Sequence, residues 1–367
     1  LKILIIDNSL ALTGAFKCAY NEAEMLRDKH EFIFVLPERT IMDKFLEEKG
    51  FKVYKLPLVE IAKSLPALMK YFPALFANTI RLNKIVKAEK IDVIQANDFY
   101  NMLGVMMKKW MGFKGKLITY VRFLPDVMPG KLKSFWLKMA HKYSYKVISV
   151  SNSVLKQIPA HPTNVLIYDP VKLTETLPEK INTYTPVVHI LYLSNYIRGK
   201  GQQYALEAFA KAYEQNKNIR MRYTGGDMGL EKNKQFKKEL EDRAVELGLD
   251  NVVSCKSFSP DSEAEIKLAD IFLNFSMAES FSMTCLEASF YGTALIATRC
   301  GGPEEIVVDK ETGLLVPVAD VDAMRDAILT LANDADLRNK YATAAKKHVK
   351  EQFSVEKFID QFQSALA

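Results

Sequence analysis

Short apolar runs rich in Val, Ile and Leu recur along the chain, separated by longer segments whose apolar residues fall at helical spacing. Unbroken apolar runs fit strands buried on both faces, as in a parallel sheet covered by helices; half-exposed strands would alternate instead. In the first half the pattern predicts strands at Lys2–Asp7, Glu31–Leu36, Lys52–Leu56, Asp92–Ala96, Lys116–Val121, Lys146–Val150 and Asn164–Ile167. Ala15–Lys29 and Leu65–Lys90 read as helices between them. The alternation breaks over residues 168–186, where Pro170, Pro178 and Pro186 stand among Thr and Lys without apolar period. A second series then predicts strands at Val187–Leu193, Ile219–Thr224, Val252–Cys255, Ile271–Phe275, Ala294–Ala297 and Gly313–Val316, with helical segments from Asp320 onward.

Two such series predict an α/β chain of two doubly wound, Rossmann-like domains facing a cleft. Residues 1–170 form the first and 171–352 the second, and a C-terminal helix over about 353–367 packs back on the first. The length of 367 residues suits two domains of ordinary size.

Charge sharpens the division. The net charge of +6 comes from 50 Lys and Arg against 44 Asp and Glu. Residues 1–180 hold 28 basic and 17 acidic residues, a net of +11, and residues 181–367 hold 22 and 27, a net of −5. Residues 101–150 contain ten basic residues, one acid (Asp126) and both tryptophans, Trp110 and Trp136. Within them, Leu132, Phe135 or Trp136, and Met139 fall at helical spacing between lysines. That is the pattern of an interfacial helix on an anionic membrane, and equally of a core helix with a solvated lysine face. Nucleic acid is not an expected partner, since no recognition motif accompanies the charge.

Other chemistries drop out. No run of about 18 apolar residues marks a membrane span. Cys18, Cys255, Cys285 and Cys300 show no C-x-x-C spacing, and the five histidines show no metal-ligand spacing. Leu1–Asp7 reads as a strand rather than a signal peptide, so the expected setting is cytoplasmic, peripheral on the inner face of the membrane.

The most informative segment is Ser276–Ala288, a loop after a predicted strand that leads into a predicted helix over Thr284–Tyr291. Such a strand-loop-helix aims backbone N–H groups and a positive dipole end at a ligand, preferably a phosphate. Glu287 lies about one turn into the helix, where its carboxylate reaches back toward the same ligand, and Glu279 in the loop is a second acceptor. The order Glu279-x7-Glu287, Glu287-Ala288-x3-Gly292, Gly301-Gly302-Pro303-Glu304-Glu305 and Thr312-Gly313-Leu314-Leu315-Val316 resembles the donor-binding half of family 4 glycosyltransferases, retaining enzymes of the GT-B fold. The likeness runs from Ser194 to about Phe362.

The resemblance implies roles for particular residues. Lys200, in Gly199-Lys200-Gly201, matches the phosphate-binding lysine. Asn195 stands where the family has an arginine, and Arg198 is three residues away as a substitute cation. Together with the amides of Phe281, Ser282, Met283 and Thr284, these cations would stabilise a departing diphosphate, while Glu279 orients the donor sugar and Glu287 the ribose. Gly225 lies in the turn under the nucleotide, and Phe258 ends the Lys256-Ser257-Phe258 stretch that meets the base. Ser280-Phe281-Ser282 stands where Gly-Phe-Gly is common.

The first half resembles the family less. Gly14 and Ala15 match a loop that approaches donor phosphate and acceptor, and equally suit a plain strand-to-helix turn. Arg122 takes the place of a frequent histidine, as a sugar or anion contact or as a salt-bridged structural residue. Asp98 faces the cleft or caps a helix.

The implied activity moves a sugar from a nucleotide-diphospho-sugar to a hydroxyl of a glycan or lipid-linked acceptor, in bacterial surface polysaccharide or glycolipid synthesis. No metal and no resident cofactor are implied, and no Asp-x-Asp pair is expected as a metal-diphosphate site. A GT-B sugar-nucleotide epimerase and a noncatalytic sugar-nucleotide or membrane-binding protein are the alternatives.

Overall fold

A computed structural model describes residues 1–58, 65–169 and 186–367, with the backbone alone over 65–70. The chain divides into two compact units, Leu1–Lys172 with Val355–Ala367, and Leu173–Ser354. Most of the proline-bearing break expected over 168–186 lies outside the described residues.

In the first unit, β1 (Lys2–Ile6), β2 (Glu31–Pro37), β3 (Lys52–Leu56), β4 (Val93–Ala96), β5 (Lys116–Val121), β6 (Lys146–Ser149) and β7 (Asn164–Leu166) form one sheet in the order β3-β2-β1-β4-β5-β6-β7. Every pairing is parallel; Ile3 sits opposite Phe32 on one side and Val93 on the other. Ile3, Leu4, Ile5 and Ile6 are fully buried, which is why β1 reads as an unbroken apolar run. The C-terminal helix Val355–Leu366 buries Phe358, Phe362, Ala365 and Leu366 in this unit, packs on helix Gly14–Leu26, and brings the Ala367 carbonyl 3.2 Å from Lys116 Nζ.

The second unit repeats the plan with β8 (Val188–Leu193), β9 (Ile219–Thr224), β10 (Val253–Lys256), β11 (Ile271–Asn274), β12 (Ala294–Thr298) and β13 (Leu314–Val316), ordered β10-β9-β8-β11-β12-β13 and all parallel. β9 alternates instead of running apolar: Ile219, Met221 and Tyr223 are buried, while Arg220 and Arg222 lie on the other face. Most strand ends fall within a residue of those predicted, the ordinary uncertainty of a ladder's end. Helix Met283–Phe290 starts one residue earlier than expected, and Gly292, at φ +74°, follows its end.

In one amphipathic helix the structure chooses between the two seam residues that the sequence left open. In helix Gly130–Tyr143 the buried residues are Trp136, Leu137 and Ala140, whereas Phe135 is 51% exposed. Trp136 packs edge-on against Phe99 at 6.4 Å between ring centres. It is a core residue, not a boundary anchor.

Candidate active site

In each sheet the connections reverse direction beside the first strand, and doubly wound sheets bind ligands outside the strand carboxyl ends at that point. In the second unit the reversal lies between β8 and β11. Lys200 follows β8 and Glu279 follows β11, and their side chains form an ion pair at 2.6 Å.

The backbone brings them together before the charges do. Gly201 has φ +78°, and a Cβ there would lie 1.9 Å from the Phe275 carbonyl oxygen, so the two loops touch through backbone. Tyr192, fully buried in β8, fastens the contact: its hydroxyl accepts from the Phe275 N–H at 2.7 Å and donates to the Lys200 carbonyl. Burial holds that phenol well above its ordinary pKa, so it serves as a neutral donor. Ser276 Oγ donates to the same Glu279 oxygen at 2.8 Å. The Glu279 backbone is fixed by its N–H to the Cys300 carbonyl at 3.1 Å and by the Gly302 N–H to its own carbonyl at 2.8 Å. A Cβ on Gly302 would stand 2.2 Å from Phe281 Cα, so this glycine leaves packing space for the loop, while Gly301 has a φ of +117°. Lys200 keeps a third of its side chain exposed, so it can meet a ligand.

Helix Met283–Phe290 opens beside Glu279 with no side chain capping its first turn. Its amides are donors of the kind that bind anions. Ser282, at the cap, has φ +82°, a conformation that favours glycine. Its hydroxyl accepts from Asn274 Nδ2 at 2.9 Å. That side-chain tether holds Ser282 in a conformation serine seldom adopts. Phe281 is buried and packs on Phe353 at 5.3 Å, Glu287 is 2% exposed, and Ser280, Met283 and Thr284 are half-buried.

Asn195 is a turn bridge. Its Oδ1 accepts from the Gly226 N–H at 3.2 Å, and its carbonyl accepts from Gln202 Nε2 at 2.9 Å. Gly225 presses on the Ser194 carbonyl, where a Cβ would lie 1.8 Å away, and Phe258, 55% exposed, flanks the same turn. Arg198 does not replace the missing arginine: it turns onto helix Glu231–Glu246, bonding Glu239 and lying 4.8 Å over the Phe236 ring.

In the first unit, Arg122 is structural. Its side chain is 1% exposed, and it donates to Asn97 Oδ1 at 2.6 Å, to Asp169, and to Glu22 at 3.3 Å. Three of its five N–H donors are spent inside the unit, two of them on carboxylates, and burial closes the guanidinium to an acceptor. Asp98 Oδ1 accepts the Phe99 N–H at 3.0 Å, and burial raises its pKa well above the usual carboxylate range. Gly14 is exposed at the first turn of helix Gly14–Leu26, capped by Thr13, and nothing lies within 4 Å of where a Cβ would stand. The Ala15 carbonyl accepts from Asn97 Nδ2 at 3.2 Å.

The sequence holds two Asp-x-Asp triplets, Asp320-Val321-Asp322 and Asp334-Ala335-Asp336. Asp320 and Asp334 cap helices through the Ala323 and Leu337 N–H groups at 3.0 and 2.8 Å, and Asp322 pairs with Lys211 and Arg325. Their carboxylates are spent on folding.

Tyr192, Ser276 and Asn274 were missed from the sequence. A tyrosine within a strand, and polar residues at the end of a strand or just after it, carry no distinctive signal.

Two doubly wound units in one chain define the GT-B fold class. The same fold is seen over nearly the whole chain in Anabaena Alr3699/HepE, solved in complex with UDP and glucose: TM-score 0.81 at 19% identity, covering 99% of this chain and 98% of that one. Residues 174–348, just under half of the chain, match the model of the family Glycosyl transferases group 1. Among curated relatives, an N-acetyl-alpha-D-glucosaminyl L-malate synthase of Bacillus anthracis is 30% identical over 178 residues, 48% of this chain and 44% of that protein. A D-inositol 3-phosphate glycosyltransferase of Corynebacterium efficiens is 33% identical over 155 residues, 41% and 36%. The matches thus span less than half the length of these relatives.

Proposed function

We propose that the protein is a glycosyltransferase of family 4 type, moving a sugar from a nucleotide-diphospho-sugar to a hydroxyl of a glycan or lipid-linked acceptor with retention of configuration. The observation that carries this reading is the Lys200–Glu279 pair at the β8/β11 reversal, beside the uncapped first turn of helix Met283–Phe290. Lys200 and the amides of Phe281, Ser282, Met283 and Thr284 take the charge that grows on the diphosphate as the sugar leaves. Stabilising charge that develops in the transition state is what accelerates such a step. Once the diphosphate engages the Lys200 ammonium, the Glu279 carboxylate is free to accept from hydroxyls of the donor sugar. Glu287 accepts from the ribose, the Gly225 turn lies under the nucleotide, and the exposed Phe258 ring offers a stacking face for the base.

On the acceptor side, Asp98 and the backbone at Gly14 and Ala15 are the candidate contacts. The basic segment 101–150 docks the first unit on an anionic surface, giving a peripheral enzyme of surface-glycan synthesis. UDP and glucose in the Anabaena structure make a UDP-hexose the first donor to try.

A thermal-shift panel of UDP-, GDP-, ADP- and CDP-sugars tests the reading, because a ligand of the folded state raises apparent stability. One base is expected to raise the midpoint, and Lys200→Ala and Glu287→Ala to weaken that donor by at least about tenfold, or 1.4 kcal/mol. Unchanged donor affinity in both folded variants would overturn the site. Incubation with donor alone distinguishes an epimerase, which yields the epimer without an acceptor.

A further inference from the structure

The first unit has its own reversal point, between β1 and β4. A cavity of about 310 Å³ opens there: Asn8 comes just after β1, and Tyr100, Asn101 and Met102 follow β4. Every described residue lining it belongs to this unit. Leu58, Leu75, Met102, Leu103, Met128 and Trp136 make the wall apolar, and no charged side chain among the described residues lines it. The volume is at the lower end of the range of small-molecule sites, which are likewise mostly apolar with a few placed polar groups. The pocket is open to water on one side, so an apolar guest is favoured by taking this apolar wall out of water.

The polar groups present are uncharged. Asn78 is spent, donating to the Pro57 carbonyl at 2.9 Å and accepting from Arg81 at 3.0 Å. Asn101 donates to Asn8 Oδ1 at 3.2 Å and accepts the Leu103 N–H at 3.1 Å. The Asn8 amino group has no partner among the described residues. Burial alone pushes the Tyr71 phenol in this wall up to about 12, the mark of a weakly polar surrounding.

We propose that this cavity binds an uncharged apolar group carried by the acceptor, an alkyl chain or aromatic ring, with the Asn8 amide donating to the oxygen that joins that group to its sugar. The word acceptor rests on the transferase reading; binding of the apolar group does not. Two sources share the chemistry: the aglycone of a small acceptor and the chain of a lipid-linked one.

The full chain carrying Trp110→Phe leaves Trp136, in the cavity wall, as its sole tryptophan. Titration with n-octyl glucoside below its micelle concentration is expected to shift Trp136 emission, and free glucose to leave it unchanged. Vesicles of anionic lipid with and without a dialkyl glycolipid test the second source against the first. Ala74→Phe, which fills the cavity from its wall, is expected to weaken the response about tenfold. No emission change with either alkyl probe, or an undiminished response in folded Ala74→Phe, overturns the proposal. UDP-sugar binding measured on the same samples is the separate check: its loss with the alkyl response intact counts against the transferase reading and leaves the cavity standing.

Discussion

Gly201 has two independent reasons to be glycine, a left-handed φ and a backbone neighbour where a Cβ would go. Neither can be relieved by a side-chain shift, because the neighbour is the Phe275 carbonyl. Gly201→Ala is expected to destabilise the second unit by about 2 kcal/mol or more, read as a lowered urea midpoint; a midpoint within error of the native chain would contradict the close approach. Gly14 is the opposite case, with open space and a first-turn position. Gly14→Ala is expected to stabilise by about 0.4–1 kcal/mol through the unfolded chain, so any loss of transfer in that variant reports ligand approach rather than folding.

Asp98 supplies a pH signature at the same scale. Burial raises its carboxyl well above the ordinary aspartate value of about 3.9. Between that value and the raised one, the unfolded chain releases a proton that the folded chain keeps, so this group lowers stability as pH rises through the window. Asp98→Asn retains an oxygen for the Phe99 N–H and cannot ionise. It is expected to melt above the native chain at about pH 8 and with it near pH 4. A pH-independent offset would mean that ionisation is not what the substitution removes.

At the scale of elements, helix Gly130–Tyr143 shows what periodicity leaves open. Phe135 and Trp136 are adjacent, and either completes an apolar stripe with Leu132 and Met139. Contact with Phe99 and Tyr100 selects Trp136 for the core. Trp136→Ala is expected to cost about 3–5 kcal/mol, and Phe135→Ser to stay within about 0.5 kcal/mol; equal losses in denaturant melts would contradict the choice of Trp136 for the core. Arg198 makes a similar point. Three residues from Asn195 in sequence, it looks like a spare cation for the phosphate, but the aromatic face of Phe236 and the carboxylate of Glu239 draw it elsewhere.

At the scale of the whole molecule, the charge division is the property that a partner would sense. No helix among the described residues is long and apolar enough to cross a membrane. The docking reading predicts co-sedimentation with vesicles of anionic lipid at low ionic strength and release near 1 M salt, where the Debye length is about 3 Å. Equal binding to neutral vesicles would remove the electrostatic argument.

The amino-acid pattern by itself determined the alternating α/β architecture, nearly every strand, and the order of motifs around Glu279, Glu287 and Gly301-Gly302. These are local or periodic features: unbroken apolar runs mark strands buried on both faces, and glycines mark places where backbone approaches backbone. What tertiary structure alone decided is which charges meet. It paired Lys200 with Glu279 through loops about 80 residues apart in sequence, turned Arg198 away, and buried Arg122 among carboxylates. It also opened the apolar cavity beside Asn8. Ion pairing and cavity formation depend on through-space neighbours, and a linear sequence does not rank the many neighbours a long side chain could reach.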